Sequence, residues 1–325
     1  MRLEVNDFDN YRPPARLPWL PIVLVVVGVV LFLTRRDNDG TSDRAEADPV
    51  ERSAAADAPE SRDPDPSEQR NVSRLPVSAD VPDLLARATA LAKEEPPEAE
   101  ALLEARHIFE QILEQPVRRT VRDRVEKELG DVNIRLTMSP MTSPEKEKYV
   151  VQSGDSLDRI AKKFGTTIQL VQRSNMIMNR NLIRKGDNFL VFNGTFRLEA
   201  SKTRRDMVLY LNDKFFKRYR VGTGKFGRTP IGTFEIVERI SEPTWWRPDG
   251  KEIPFGHPEN ILGIRWMEIR ATGDTPNVKG YGIHGTWQPE SIGKAESAGC
   301  IRMINDDVAE LFDLLPLHTP VLIVE

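Results

Sequence analysis

Residues 17–33, LPWLPIVLVVVGVVLFL, form an uncharged apolar run with Arg12 and Arg16 before it and Arg35 and Arg36 after it. A helix rises about 1.5 Å per residue, so this run sits at the short end of what crosses a hydrocarbon layer about 30 Å thick. A cleaved leader would carry a shorter apolar stretch and small residues at a cut site, whereas Thr34, Arg35, Arg36 and Asp37 follow directly here. The run therefore reads as a transmembrane signal anchor at 17–34, with 1–16 as a cytoplasmic N-terminus. Arginines on both sides leave its orientation to be set by what the downstream domains do.

From 35 to 80 the chain is built from Asp, Glu, Ala, Pro, Ser and Arg, and Val50, Val72, Leu75 and Val77 are almost its only bulky apolar residues. Such a stretch cannot bury enough surface to offset the entropy of ordering, so it reads as a disordered tether. Across the whole chain the formal charge is −4, which removes the electrostatic signature of a nucleic-acid binder.

Helical spacing begins at Val81. Leu84, Leu85, Ala88 and Leu91, then Leu102, Leu103, Ile108, Phe109, Ile112 and Leu113, then Val117, Val121, Val125, Leu129 and Val132 recur at steps of three and four, with breaks at Pro96, Pro97 and Pro116. Residues 81–138 read as a small helical spacer, with a surface for a protein partner as the alternative.

Residues 147–193 follow another pattern. A strand at 149–152 leads to Ser153-Gly154-Asp155-Ser156, where Asp155 or Ser156 caps a helix at 157–164 and Gly165 ends it. Thr166 and Thr167 open a second helix, and a loop through Asn181 leads to a strand at 189–192. The expected unit is βααβ.

From 196 to 325 short alternating runs separated by Gly, Pro, Asn and Asp turns predict a mainly β domain with one helix, entered through Asn305 as its cap and stopped by Pro316. The only cysteine of the chain, Cys300, lies in this domain, so no internal disulfide forms and the thiol is either packing or chemistry. His284, at the end of the short run Tyr281-Gly282-Ile283, is the candidate activator. A free thiol is only a few per cent ionised at neutral pH, and an imidazole that accepts its proton is the simplest remedy. Gly285 after the histidine and Ser297-Ala298-Gly299 before the cysteine are small, leaving room for a substrate and backbone amides for an oxyanion. Trp246, Trp266 and Trp287 supply flat apolar surface, Trp266 to the core or the cleft and the other two to a cleft. No Cys/His cluster has zinc-ligand spacing, so neither metal nor cofactor is expected.

Two resemblances organise these readings. The residues Tyr149-Val150-Val151, Gly154-Asp155-Ser156-Leu157, Ile160-Ala161, Asn175 and Ile183, Lys185-Gly186-Asp187 resemble a LysM domain. That resemblance implies binding of the N-acetylglucosamine backbone of peptidoglycan or chitin along a groove near Gly154, Asp155, Ser156, Met176, Ile177 and Asn181. The string His284-Gly285-Thr286, with Ser297-Ala298-Gly299-Cys300-Ile301-Arg302 and the upstream Gly222-Thr223-Gly224 and Thr229-Pro230-Ile231-Gly232, resembles the YkuD-type L,D-transpeptidases over most of 196–325. Ala298 departs from the many members with a second histidine there, which bears on substrate handling.

The second resemblance implies that Cys300 forms a thioester with a peptidoglycan stem peptide and that His284 acts as base and then acid. It further implies that the Gly285 carbonyl orients the imidazole, that amides near Gly299 and Cys300 bind the oxyanion, and that Arg302 braces the site or meets a carboxylate. Ser297, Gly299, Trp246, Trp266 and Trp287 are the candidate substrate-binding residues, and glycan strands and stem peptides the expected partners. The chain as a whole reads as a membrane-anchored enzyme on the cell-wall side, in the periplasm or at the surface. A hydrolase on the same scaffold and a non-catalytic wall-binding adaptor are the rival readings.

Overall fold

The computed structural model describes residues 80–325. The expected anchor and N-terminal segment, and all but the last residue of the expected tether, lie outside the described residues. Among the described residues no helix is long and apolar enough to cross a membrane.

Three helices come first: α1 (Val81–Ala92), α2 (Ala99–Glu114) and α3 (Arg119–Thr137). Their apolar stripes meet in one core in which Phe109, Ile112, Val125 and Leu129 are fully buried. The LysM-like segment follows as β1 (Lys146–Val150), α4 (Leu157–Phe164), α5 (Ile168–Ser174) and β2 (Asn188–Phe192), with β1 and β2 antiparallel. Its helix ends follow local chemistry. Ser156 Oγ accepts the Arg159 amide at 3.2 Å, Thr167 Oγ1 accepts the Leu170 amide at 3.0 Å, and Gly165 adopts the left-handed conformation that closes α4. Asp155 does not cap α4; its carboxylate takes the Gln152 amide and the Tyr149 hydroxyl, each at 2.7 Å, and so closes the turn instead. The first strand also begins earlier than its apolar residues suggest, because pairing with β2 from Lys146 to Val150 fixes the bounds.

The remaining strands are β3 (Phe196–Ser201), β4 (Asp206–Leu211), β5 (Lys214–Arg220), β6 (Thr223–Gly224), β7 (Gly232–Ser241), β8 (Trp245–Trp246), β9 (Glu252–Ile253), β10 (Arg265–Ala271), β11 (Gly282–His284), β12 (Ala295–Ser297), β13 (Ile301–Arg302) and β14 (Pro320–Val324), with α6 (Asn305–Leu314) before the last. Eight of them form one sheet in the order β13-β11-β10-β7-β14-β3-β4-β5, while β6 pairs with β12 and β8 with β9. The expected strand over 300–303 shortens to Ile301–Arg302, which leaves Cys300 in the preceding turn.

The helical segment is more than a spacer, because it covers the β5 edge of the sheet. Asn133 Nδ2 donates to the Phe216 carbonyl at 2.9 Å, Arg218 joins Glu126 at 2.7 Å to Asp206 at 2.6 Å, and Phe215 packs into the helical core. Covering an edge strand with a helix is a standard protection against unwanted pairing. Part of the surface a protein partner would use is therefore taken by the chain itself.

The LysM-like segment is held equally closely. Leu170 and Phe192 join the core of the large sheet, Phe192 stacks on Phe196 at 5.1 Å, and Arg173 grips the Asp313 carboxylate at 2.5 and 3.1 Å. Thr167 donates to the Asp313 carbonyl as well. Asp313→Ala removes the ion pair but keeps that carbonyl. The partly exposed pair is worth about 1 kcal/mol, so the melting temperature should fall by about 2–4 °C and limited proteolysis at 193–195 should accelerate. Unchanged cleavage there would show that apolar packing alone seats the segment.

Candidate active site

One face of the β10, β11 and β13 strands carries the candidate residues. Trp266 stands opposite His284 in the antiparallel β10–β11 pair, and Arg302 stands opposite His284 in the parallel β11–β13 pair. Residues opposite one another share a face, so the three side chains form a row. The Trp266 ring lies 5.8 Å from the imidazole and runs over Gly282, where a Cβ would sit 2.6 Å from the indole.

Cys300 enters at the end of this row. Its Sγ is partly exposed and lies 3.7 Å from the Gly280 carbonyl, beside the first residues of β11. The turn that presents it is clasped by Ser297, only 2 % exposed, whose hydroxyl donates to the Cys300 carbonyl at 2.7 Å and accepts the Gly299 amide at 3.0 Å. Gly299 has φ +147°, and a Cβ there would meet the Tyr281 ring at 2.5 Å. Thr229 Oγ1, which accepts the Gly224 amide at 2.7 Å, donates to the Gly299 carbonyl at 2.8 Å and ties the 224–229 loop to the cysteine turn. Ser297 thus spends its hydroxyl inside the turn. The Gly299 amide is also engaged, so of the two amides expected for an oxyanion, that of Cys300 is the one this turn leaves unbound.

His284 is 2 % exposed, and Nδ1 and the Gly285 carbonyl lie 2.6 Å apart. A carbonyl can only accept, so Nδ1 carries the proton and Nε2 is the nitrogen able to take another. Burial lowers the imidazole pKa to about 4 and the Arg302 charge adds to this, against hydrogen bonding to the Gly285 and Leu262 backbone. Burial also pushes the Cys300 thiol up, opposed by the Gly282 amide and Arg302. Both shifts favour the neutral thiol and the neutral imidazole over their ionised forms. Arg302 contributes charge to both groups, and its own Nε is buried without a hydrogen-bond partner among the described residues.

The other candidates lie in different settings. Trp246 is 67 % exposed on β8, and Trp287 is half exposed with Phe255 at 6.3 Å between ring centroids. On the LysM-like segment Gly154, Ser156, Met176 and Asn181 are exposed, while Asp155 and Ile177 are half-buried. Sequence reasoning missed the site's outer bracing: Thr229 stands out only within the upstream string Thr229-Pro230-Ile231-Gly232 of the family resemblance, and Asn305 only as a helix cap. Asn305 is instead the first residue of α6, and its side chain leaves the helix to bind the turn after His284.

The site thus sets a thiol in the turn before β13 and a buried imidazole on the neighbouring β11, at one end of a mixed sheet joined in the same chain to a βααβ module. The family model of the L,D-transpeptidase catalytic domain matches residues 195–323, and that of the LysM domain matches 149–190. The chain belongs to the L,D-transpeptidase family and carries its LysM domain N-terminal to the catalytic domain. The YqjB protein of Bacillus subtilis is 38% identical over 141 residues, covering 43% of this chain and 73% of its own length. The YkuD protein of Bacillus licheniformis is 34% identical over 180 residues, or 53% of this chain and 96% of that one. The Bacillus subtilis YkuD protein is 31% identical over 182 residues, 54% and 97% of the two chains.

Proposed function

We propose that this chain cross-links or modifies peptidoglycan stem peptides through a Cys300 thioester. The observation that carries the reading is a partly exposed cysteine in the turn before β13 and, on the β11 strand paired with it, a buried imidazole whose Nδ1 is held by the Gly285 carbonyl. Cys300 Sγ attacks the carbonyl carbon of a stem's third residue while His284 Nε2 takes the thiol proton. Collapse breaks the C–N bond to the terminal D-alanine, which leaves with the proton returned by His284. The amine of a second stem's diamino acid then attacks the thioester, an amide forms, and the sulfur leaves to regain a proton through His284. The thioester keeps the energy of the cleaved amide, so no nucleotide is consumed. The Cys300 amide faces the developing oxyanion, and Arg302 braces the site or meets a substrate carboxylate.

The LysM domain grips glycan strands and delivers the catalytic domain to the wall, and the apolar run at 17–34 holds the chain to a membrane with its domains on the wall side. Support for that placement is the run itself and the wall-directed modules that follow it.

Defined muropeptides incubated with the purified protein and read by mass spectrometry test the reaction: dimers joined between third residues are expected. Trimmed stems alone, at every acceptor concentration, would make the protein a hydrolase. A carbapenem should add once to the intact protein, with Cys300 as the modified residue, and an unchanged mass would count against an accessible nucleophile there.

A further inference from the structure

The Gly285–Thr286 peptide unit is bound at both ends. Its carbonyl faces His284 Nδ1 at 2.6 Å, and its N–H donates to Asn305 Oδ1 at 3.1 Å. The same oxygen lies 3.4 Å from the Ile264 amide, in the turn that follows Leu262. One side-chain oxygen therefore ties the peptide that holds the imidazole to the 263–264 turn.

The space around that oxygen is shaped for it. A Cβ on Gly285 would stand 2.2 Å from Oδ1, and one on Gly263 would stand 2.4 Å from it while meeting Gly285 and Thr286 backbone at 2.5 and 2.6 Å. Gly263 also has φ +65°, so the turn needs glycine twice over. Asparagine at a helix start ordinarily caps its own helix, yet α6 has no side-chain cap and Asn305 turns its oxygen to the 263–286 junction. Capping is therefore not what its side chain does.

We propose that Asn305 is a positioning residue for His284. By accepting the Thr286 N–H it fixes the plane of the peptide whose carbonyl takes Nδ1–H, and so selects the tautomer that leaves Nε2 as the base. This rests on the reading of His284 as general base. Both Asn305 bonds are accepted by Oδ1, so an isosteric carboxylate should substitute and an isosteric hydrocarbon should not.

The test compares Asn305→Leu and Asn305→Asp with His284→Gln, reading the rate at which a carbapenem acylates Cys300, thermal melting, and the imidazole nitrogen shifts in 15N NMR. The leucine variant should acylate about 10-fold or more slowly and lose the single Nδ1–H signature, as wrong-tautomer histidines do. The aspartate variant should restore most of the rate and the signature, with the histidine pKa raised by the added negative charge. A folded leucine variant with the normal rate and tautomer would overturn the proposal. So would a folded aspartate variant about 10-fold or more slower than wild type, an outcome that stands even if the leucine variant fails to fold. If His284→Gln alone keeps the wild-type rate, it is the general-base reading that fails.

Discussion

Cys300→Ala should abolish acyl-enzyme formation with every donor, stem peptide or carbapenem, while the protein remains folded. Cys300 is partly exposed and its hydrogen bond to the Gly280 carbonyl is long at 3.7 Å, so its loss should cost under about 1 kcal/mol of stability. The catalytic cost is of a different order, because without a nucleophile neither the imidazole nor the oxyanion donor has a bond to assist. Losses of about 10⁶ are typical when the nucleophile of such a unit is deleted. Cys300→Ser should be inactive too, since a hydroxyl is much less acidic than a thiol and His284, already a weak base, would not activate it. Intact-mass spectrometry after carbapenem treatment and muropeptide analysis read the result. Unchanged wall chemistry in the alanine variant would mean that the domain acts by binding alone.

His284→Gln carries the second large effect, in two separable readouts. Removing a positioned base should slow Cys300 acylation by about 10²–10⁴. The stability consequence follows from proton linkage. An unfolded histidine titrates near 6.5 and the folded one at about 4, so between these values the unfolded chain binds the extra proton. Stability from burying the neutral ring is fully present above pH 6.5 and is lost as pH falls towards 4. The difference amounts to about 3 kcal/mol at neutral pH. Denaturant unfolding of the wild type should therefore weaken across that window more steeply than that of the glutamine variant. The difference between the two curves isolates His284 from the carboxylates that titrate nearby. Parallel curves would mean that the folded imidazole takes up its proton over the same pH range as the unfolded one, and the lowered pKa would be wrong.

These outcomes depend on features of unequal legibility. The LysM domain could be read almost whole, because its helix ends are set by Ser156, Gly165 and Thr167 acting on backbone within a few residues. Cys300 and His284 stood out for a related reason: small residues and turns surround them locally, and a lone thiol has few alternative explanations. Asp155 shows the limit of that reasoning, since a carboxylate beside a helix start has several amides to choose from and here takes that of Gln152, behind it.

What the sequence by itself determined is the LysM and L,D-transpeptidase domains, the positions of the candidate nucleophile and base, and the periodicities that make helices and strands, all consequences of chemistry within a few residues. Only the tertiary structure decided that α3 covers β5 and that Arg173 meets Asp313, 140 residues on. It likewise spent the Gly299 amide on Ser297 and sent the Asn305 side chain to the peptide beside His284. Hydrophobic period reports which face of an element is buried but not against what, and a polar side chain's partner depends on register and packing that exist only once the sheet has assembled.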